Sequence, residues 1–132
     1  MTDERKPRAL NEYTEDMQKS ISRLIAISSV TEESFKVDED KQDAAIRHIE
    51  VLGEIAGKLV KHYPTFVKDN KEIPFKQISD MRNKLIHNYF GVSLDAVWKV
   101  LKSDVPVLSG QLANLVVTTN NSIPRGKAAP TK

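Results

Sequence analysis

Arg82, Asn83, His87 and Tyr89 stand within eight residues of one another in the segment Met81-Arg82-Asn83-Lys84-Leu85-Ile86-His87-Asn88-Tyr89-Phe90. These types permit a particular chemistry. A neutral imidazole takes a proton from a ribose 2′-hydroxyl, and an imidazolium returns one to a leaving 5′-oxygen. An arginine fork holds a phosphate and stabilises the charge that grows on its oxygens. Together they suffice for RNA cleavage by internal transesterification without a metal. On one helix, Arg82 and His87 lie roughly 7.5 Å apart along the axis and about 140° apart around it. They cannot stack, but their long side chains could converge on a ligand lying across the helix. Asn83 and His87 are four apart and share a face. Tyr89 is seven residues from Arg82, on nearly the same face two turns on. The same residues also serve as caps and solvated groups at a helix C-terminus, where the dipole favours a protonated His87.

The elements that must position them read as helices. Glycine is scarce, five in 132 residues, and no strand-length alternation lies between turn signals. Leu10, Tyr13, Met17, Ile21, Leu24 and Ser28 recur at spacings of three and four, which predicts a helix over about 8–29 with Pro7 in its first turn. Thr31 followed by Glu32, Glu33 and Ser34 predicts an N-cap and a single helical turn anchored by Phe35. A long helix follows over about 39–63. Its stripe is Ala45, Ile46, Ile49, Leu52, Gly53, Ala56, Leu59, Val60 and Tyr63, and Gly53, Ala56 and Gly57 leave room for a close neighbour. Asp38, Glu39, Asp40 and Asp43 at its start, and Lys58, Lys61 and His62 at its end, suit the helix dipole. Pro64 ends it, and residues 64–73 are expected to be a polar connector.

Pro74 opens the helix that carries the reactive cluster, over about 75–89, with Gly91 placed to stop it. Ser93 is an N-cap for a fourth helix bearing Leu94, Val97, Trp98 and Leu101. Ser103-Asp104-Val105-Pro106 interrupts the pattern as a kink or a new cap, and a last run uses Val107, Leu108, Leu112, Leu115 and Val116. The expected fold is all-α, an antiparallel bundle of four to five helices over residues 1–117, with a disordered tail over 118–132.

Composition narrows the function classes. There is no cysteine, which removes thiolate metal sites, disulfide scaffolds and cysteine nucleophiles. His48 and His62 are fourteen apart with no second imidazole at ligand spacing, so no metal site is expected, and no cofactor. No apolar run approaches the roughly 18 residues of a membrane span. Nor does an apolar stretch follow the charged N-terminus, so a cytoplasmic location is expected. Residues 1–50 carry 8 Lys/Arg against 12 Asp/Glu, a net of −4, and residues 51–132 carry 12 against 6, a net of +6. A basic second half permits an anionic partner, with Lys58, Lys61, Lys68, Lys71, Lys76, Lys84, Lys99 and Lys102 as candidate guides for RNA. Tyr63, Phe66 and Trp98 suit core or interface, and Glu54 is open to either a cleft or a structural role.

Arg82-Asn83-x-x-x-His87-x-Tyr89 resembles the Arg-x4-His-x-Tyr signature of the HEPN superfamily, in the branch of HepT-like toxins. Ile73-Pro74-Phe75 is similar to that family's Ile-Pro-Trp, with Phe75 in place of Trp. Asn88-Tyr89-Phe90-Gly91-Val92 and Val97-Trp98 are similar to its downstream segments, and Gln42 to Arg47 and Leu52 to Ala56 to its second helix. Asp104-Val105-Pro106 is similar to the step after its Trp helix. The resemblance runs in one order over about residues 8–108. It implies an all-α HEPN bundle that forms a homodimer, with two Arg/His helices facing across a cleft as a composite ribonuclease site. By that resemblance Arg82 binds the scissile phosphate, His87 is the general acid or base, and Asn83 orients substrate or the catalytic pair. It further implies a toxin of a type VII HEPN/MNT toxin–antitoxin pair. The antitoxin partner is a minimal nucleotidyltransferase that inactivates it by AMPylation of Tyr89. The alternative is a non-catalytic dimeric adaptor that binds nucleotide or RNA for such a nucleotidyltransferase.

Overall fold

The computed structural model describes residues 7–87 and 93–115, and the side chains of residues 85–87 lie outside that description. Helix α1 spans Leu10–Ile27, α2 Glu32–Lys36, α3 Glu39–His62, α4 Pro64–Asp69 and α5 Phe75–His87. Then α6, Leu94–Lys99, runs through a π-turn at Val100–Asp104 straight into α7, Val105–Leu115. Among the described residues there is no strand, and no helix is long and apolar enough to cross a membrane. The fold is an all-α bundle, as expected, with four long rods and two one-turn helices. The tail over 118–132 lies outside the described residues.

Side-chain contacts fix the directions of the rods. Tyr13 meets Tyr63 edge-on at 6.2 Å, and Ser20 Oγ lies 3.3 Å from His48 Nδ1, so α1 and α3 are antiparallel. Gln18 donates to the Leu112 carbonyl at 3.3 Å and Lys102 to that of Ser28 at 3.3 Å, so α7 also runs against α1. Gly57 faces Ser79 and Gly53 faces Arg82, which makes α5 antiparallel to α3. The order across the bundle is therefore α5, α3, α1, α7, with α3 packed on two sides. That double role widens its buried arc: Ile55 joins the core with Ile49, Leu52, Ala56 and Leu59, while Val60 at the edge of the predicted stripe is 39% exposed.

Local chemistry starts the helices where the sequence places them. Thr31 accepts from the Ser34 amide at 3.1 Å, Asp38 from that of Lys41 at 3.1 Å, and Ser93 from that of Ala96 at 3.2 Å. Phe35 on α2 is fully buried and packs 5.2 Å from Trp98 on α6. Lys36 pairs with Asp95 beside it, so α2 straps the C-terminal rod to the bundle.

Two expectations are corrected. Pro7 does not sit in the first turn of α1, which begins at Leu10 behind Ala9 as N-cap. Residues 64–73 are not a plain polar connector. Pro64 ends α3 and also starts α4, because a first-turn position has no use for the missing N–H. Phe66 is buried there against Phe75 at 5.9 Å, and Ile73 is buried beside them. Asn70 closes α4, with its side chain donating to the Phe66 carbonyl at 3.0 Å. The interruption expected at Ser103-Asp104-Val105-Pro106 takes the form of a π-turn, with Pro106 in the first turn of α7. The amide of Val105 bonds to the Val100 carbonyl, five residues back, and this widened turn carries the proline without ending the helix.

Candidate active site

Helix α5 carries Arg82, Asn83 and His87, and α3 packs against it. Ile78 and Phe75 on α5 are buried in the core, which fixes the rotation of the helix. The opposite edge of the same seam presents Ser79 and Arg82 to Gly57 and Gly53 of α3. A side-chain carbon at Gly53 would overlap Arg82 Cβ and lie 2.9 Å from its Cγ and 3.1 Å from the Ile78 carbonyl oxygen. The stem of Arg82 therefore lies directly on the α3 backbone.

This contact decides where the guanidinium goes. Arg82 is half-buried, and its Nε is sealed from solvent with no hydrogen-bond partner among the described residues. Nη1 reaches back to donate to Asn83 Oδ1 at 3.3 Å, and Asn83 itself is exposed. A guanidinium carries five donors in a rigid fork, so anchoring one end leaves the outer donors free to meet an oxyanion. Arg82 and Asn83 are thus brought together at the surface of α5.

His87 is the last residue of α5, five positions beyond Arg82 on the same rod. Its side chain, and all of Asn88 to Val92 with Tyr89 among them, lie outside the described residues. Glu54 is exposed on α3, one residue past the glycine that receives Arg82. Among the described residues no group of three or more His, Asp or Glu draws together. The assembled pair is a cation with an amide, suited to binding a phosphate.

The remaining candidates have structural places. His48 leans on Ser20, and its imidazole is held below its ordinary pKa by burial first and then by Arg23 and Arg47. Lys102 lies over the Trp98 ring at 5.4 Å and donates to α1, so it belongs to the bundle as much as to the surface. Tyr63 donates its hydroxyl to the Arg8 carbonyl at 2.6 Å, and burial raises its pKa. Lys61, Lys68, Lys71, Lys76, Lys84 and Lys99 are exposed, and Lys58 is half-buried.

The sequence flagged Gly53 as room for a neighbour but did not say that the neighbour is Arg82. Only the antiparallel pairing of α3 with α5 supplies that. The sequence also gave no sign of a groove of about 380 Å³ on the core side of α5. Ile49, Leu52, Ile78, Met81, Val105 and Leu108 form its apolar wall, and Gln111 is among its polar lining residues.

A family model described as Ribonuclease HepT-like matches residues 17–115. A protein of Thermococcus cleftensis described as "Probable ribonuclease HepT" is 36% identical over 110 residues, which is 82% of this chain and 96% of that protein. One from Caldanaerobacter subterraneus subsp. tengcongensis, described as a "Putative RNase", is 30% identical over 105 residues, or 79% of this chain and 91% of that one. In Methanocaldococcus jannaschii, a protein described as "Gamma-glutamylcyclotransferase and putative RNase" is 38% identical over 87 residues. The match there takes in 65% of this chain and 37% of the longer protein. No solved structure matches the chain.

Proposed function

The chain belongs to the HepT-like ribonuclease family and is an endoribonuclease of the HEPN type, and from that premise we propose that it is the toxin of a HEPN/MNT toxin–antitoxin pair. It acts on RNA in the cytoplasm, without a metal, through Arg82 and His87. The observation that carries this reading is the anchoring of Arg82: its stem lies on Gly53 and its Nη1 on Asn83, so the fork is held on the surface of α5. A fork held in place before substrate arrives is what electrostatic stabilisation of a phosphoryl transition state requires.

In the proposed reaction the ribose 2′-oxygen attacks the adjacent phosphorus and the bond from phosphorus to the 5′-oxygen breaks. The products are a 2′,3′-cyclic phosphate and a 5′-hydroxyl. Arg82 holds the non-bridging oxygens, and His87 takes the 2′-proton or supplies the proton to the departing oxygen. Asn83 keeps the guanidinium turned towards the phosphate. Arg82 and His87 diverge by about 140° around one helix, so a single α5 presents them poorly to one phosphate. A homodimer that apposes two such helices solves this, and it is the assembly proposed here.

Tyr89 is proposed as the off-switch rather than a catalyst. Its phenolic oxygen attacks the α-phosphorus of ATP in the partner nucleotidyltransferase, pyrophosphate leaves and the phenolic proton goes to solvent. The added AMP brings bulk and negative charge beside the cleft and repels an RNA phosphate.

The test uses protein made with and without a co-expressed nucleotidyltransferase of this kind, examined by intact mass, peptide mapping and RNA cleavage. The expected result is one AMP on the Tyr89 peptide and cleavage only by unmodified protein, with a cyclic phosphate end. Intact RNA with both preparations, bound reversibly, would overturn the enzyme in favour of a nucleotide- or RNA-binding adaptor.

A further inference from the structure

We propose that Gly53 is the positioning residue for Arg82: the missing side chain at this one point of α3 sets how closely α5 approaches and therefore where the guanidinium stands. The inference rests on the reading of Arg82 as the phosphate-binding group.

Gly53 lies in the interior of α3, where glycine is the least favourable residue short of proline. The chain accepts that cost at the place where α3 meets Arg82. A Cβ at Gly53 would collide with Arg82 Cβ, crowd Cγ at 2.9 Å and press on the Ile78 carbonyl at 3.1 Å. Arg82 Cβ is one bond from the α5 backbone and cannot swing aside, and the Ile78 oxygen is backbone itself. Relief requires the whole turn of α5 that carries Arg82 to move away from α3. His87 would be displaced with it, being five residues on in the same helix.

Gly57 supplies the contrast. A Cβ there would meet Ser79 Oγ at 3.1 Å, the end of a side chain that can rotate. Both glycines face the same seam, yet only Gly53 abuts fixed atoms of the arginine. The consequence is visible in Arg82 itself: its Nε is sealed in the seam while Nη1 reaches Asn83. Two ends of a planar group are thereby set, and the outer donors follow.

The test compares the full chain with Gly53→Ala and Gly57→Ala in RNA cleavage. It also follows the Arg82 Nε–H resonance by NMR. Gly53→Ala should lower kcat by about 10- to 100-fold with KM within about threefold, because an ångström-scale misplacement acts on the transition state more than on binding. Gly57→Ala should stay within about twofold of the parent in both. The Nε–H should exchange slowly in the parent and in Gly57→Ala, and quickly in Gly53→Ala. A purely structural role would lower the melting temperature of Gly53→Ala and leave kcat per folded molecule unchanged, and that result overturns the proposal. So does an Nε–H in the parent that exchanges as fast as a surface arginine. If Gly53→Ala does not fold, the Nε–H of the parent still decides: slow exchange supports the sealed seat of Arg82 on Gly53, and exchange as fast as that of a surface arginine overturns it. If the parent cleaves no RNA, the ribonuclease reading fails, and the Nε–H comparison still decides the role of Gly53.

Discussion

The ring of Phe35 lies 5.2 Å from that of Trp98, tilted by 35°, and so joins the single-turn helix α2 to the C-terminal rod. Phe35 is fully buried, and Lys36 beside it pairs with Asp95. Truncating Phe35 removes the apolar partner of Trp98 and leaves a cavity that the strap cannot close. Phe35→Ala should cost about 3–5 kcal/mol in chemical denaturation. Trp98 is the single tryptophan, so the protein's indole emission reports on its surroundings and should shift to the red. An unchanged midpoint with unchanged emission would contradict the packing described.

His48 should make stability depend on pH. Burial, and then the cations of Arg23 and Arg47, hold its folded pKa below the ordinary 6.5. The unfolded chain therefore binds the proton more readily. Its contribution is present in full above about pH 6.5 and is lost as pH falls through that value towards the folded pKa. His48→Gln should flatten the slope of stability against pH between about 5 and 7, read from urea midpoints. A parent protein whose midpoint rises on acidification through this window would show that the sign is wrong.

Helix starts were legible because they are local. Thr31, Asp38 and Ser93 each accept an amide three residues on, and that requires only the right side chain at the right position. Helix α4 was not legible, since Pro64 announces the end of α3 and gives no notice that it also opens another helix. The burial of Phe66 depends on Phe75, nine residues away and across a turn. The π-turn left only Pro106 as a clue, and a proline is equally consistent with a kink or a cap. At the site, the sequence supplied Arg82, Asn83 and the small residues of α3 separately. The overlap of Gly53 with Arg82 depends on helix pairing, which no spacing within either helix encodes.

The cap at Thr31 is a lever on the strap. Thr31 Oγ1 accepts the Ser34 amide at 3.1 Å, and α2 is too short to hold itself without it. Thr31→Ala should cost about 1 kcal/mol and lower the melting temperature by about 4 °C. Thr31→Ser keeps the oxygen and should recover most of that loss. Equal melting temperatures for the alanine variant and the parent would show that the packing of Phe35 suffices on its own.

Complementation between variants tests whether the site is shared by two chains. Arg82→Ala retains the Cβ that rests on Gly53, so the helix seam survives while the fork is lost. His87 lies more than two turns from the buried Phe75 and Ile78 on α5, so its substitution leaves them in place. Each variant alone should lose about 10²-fold or more in kcat. In a twofold dimer whose sites take Arg82 from one protomer and His87 from the other, a mixed dimer of the two variants holds one intact site and one empty one. Half the dimers in an equal mixture are mixed, so activity should return to about a quarter of the parent's. A site built within one chain gives no recovery, since every site then lacks one of its two groups. No recovery after verified subunit exchange would therefore place Arg82 and His87 in the same protomer's site and remove the argument for a composite cleft.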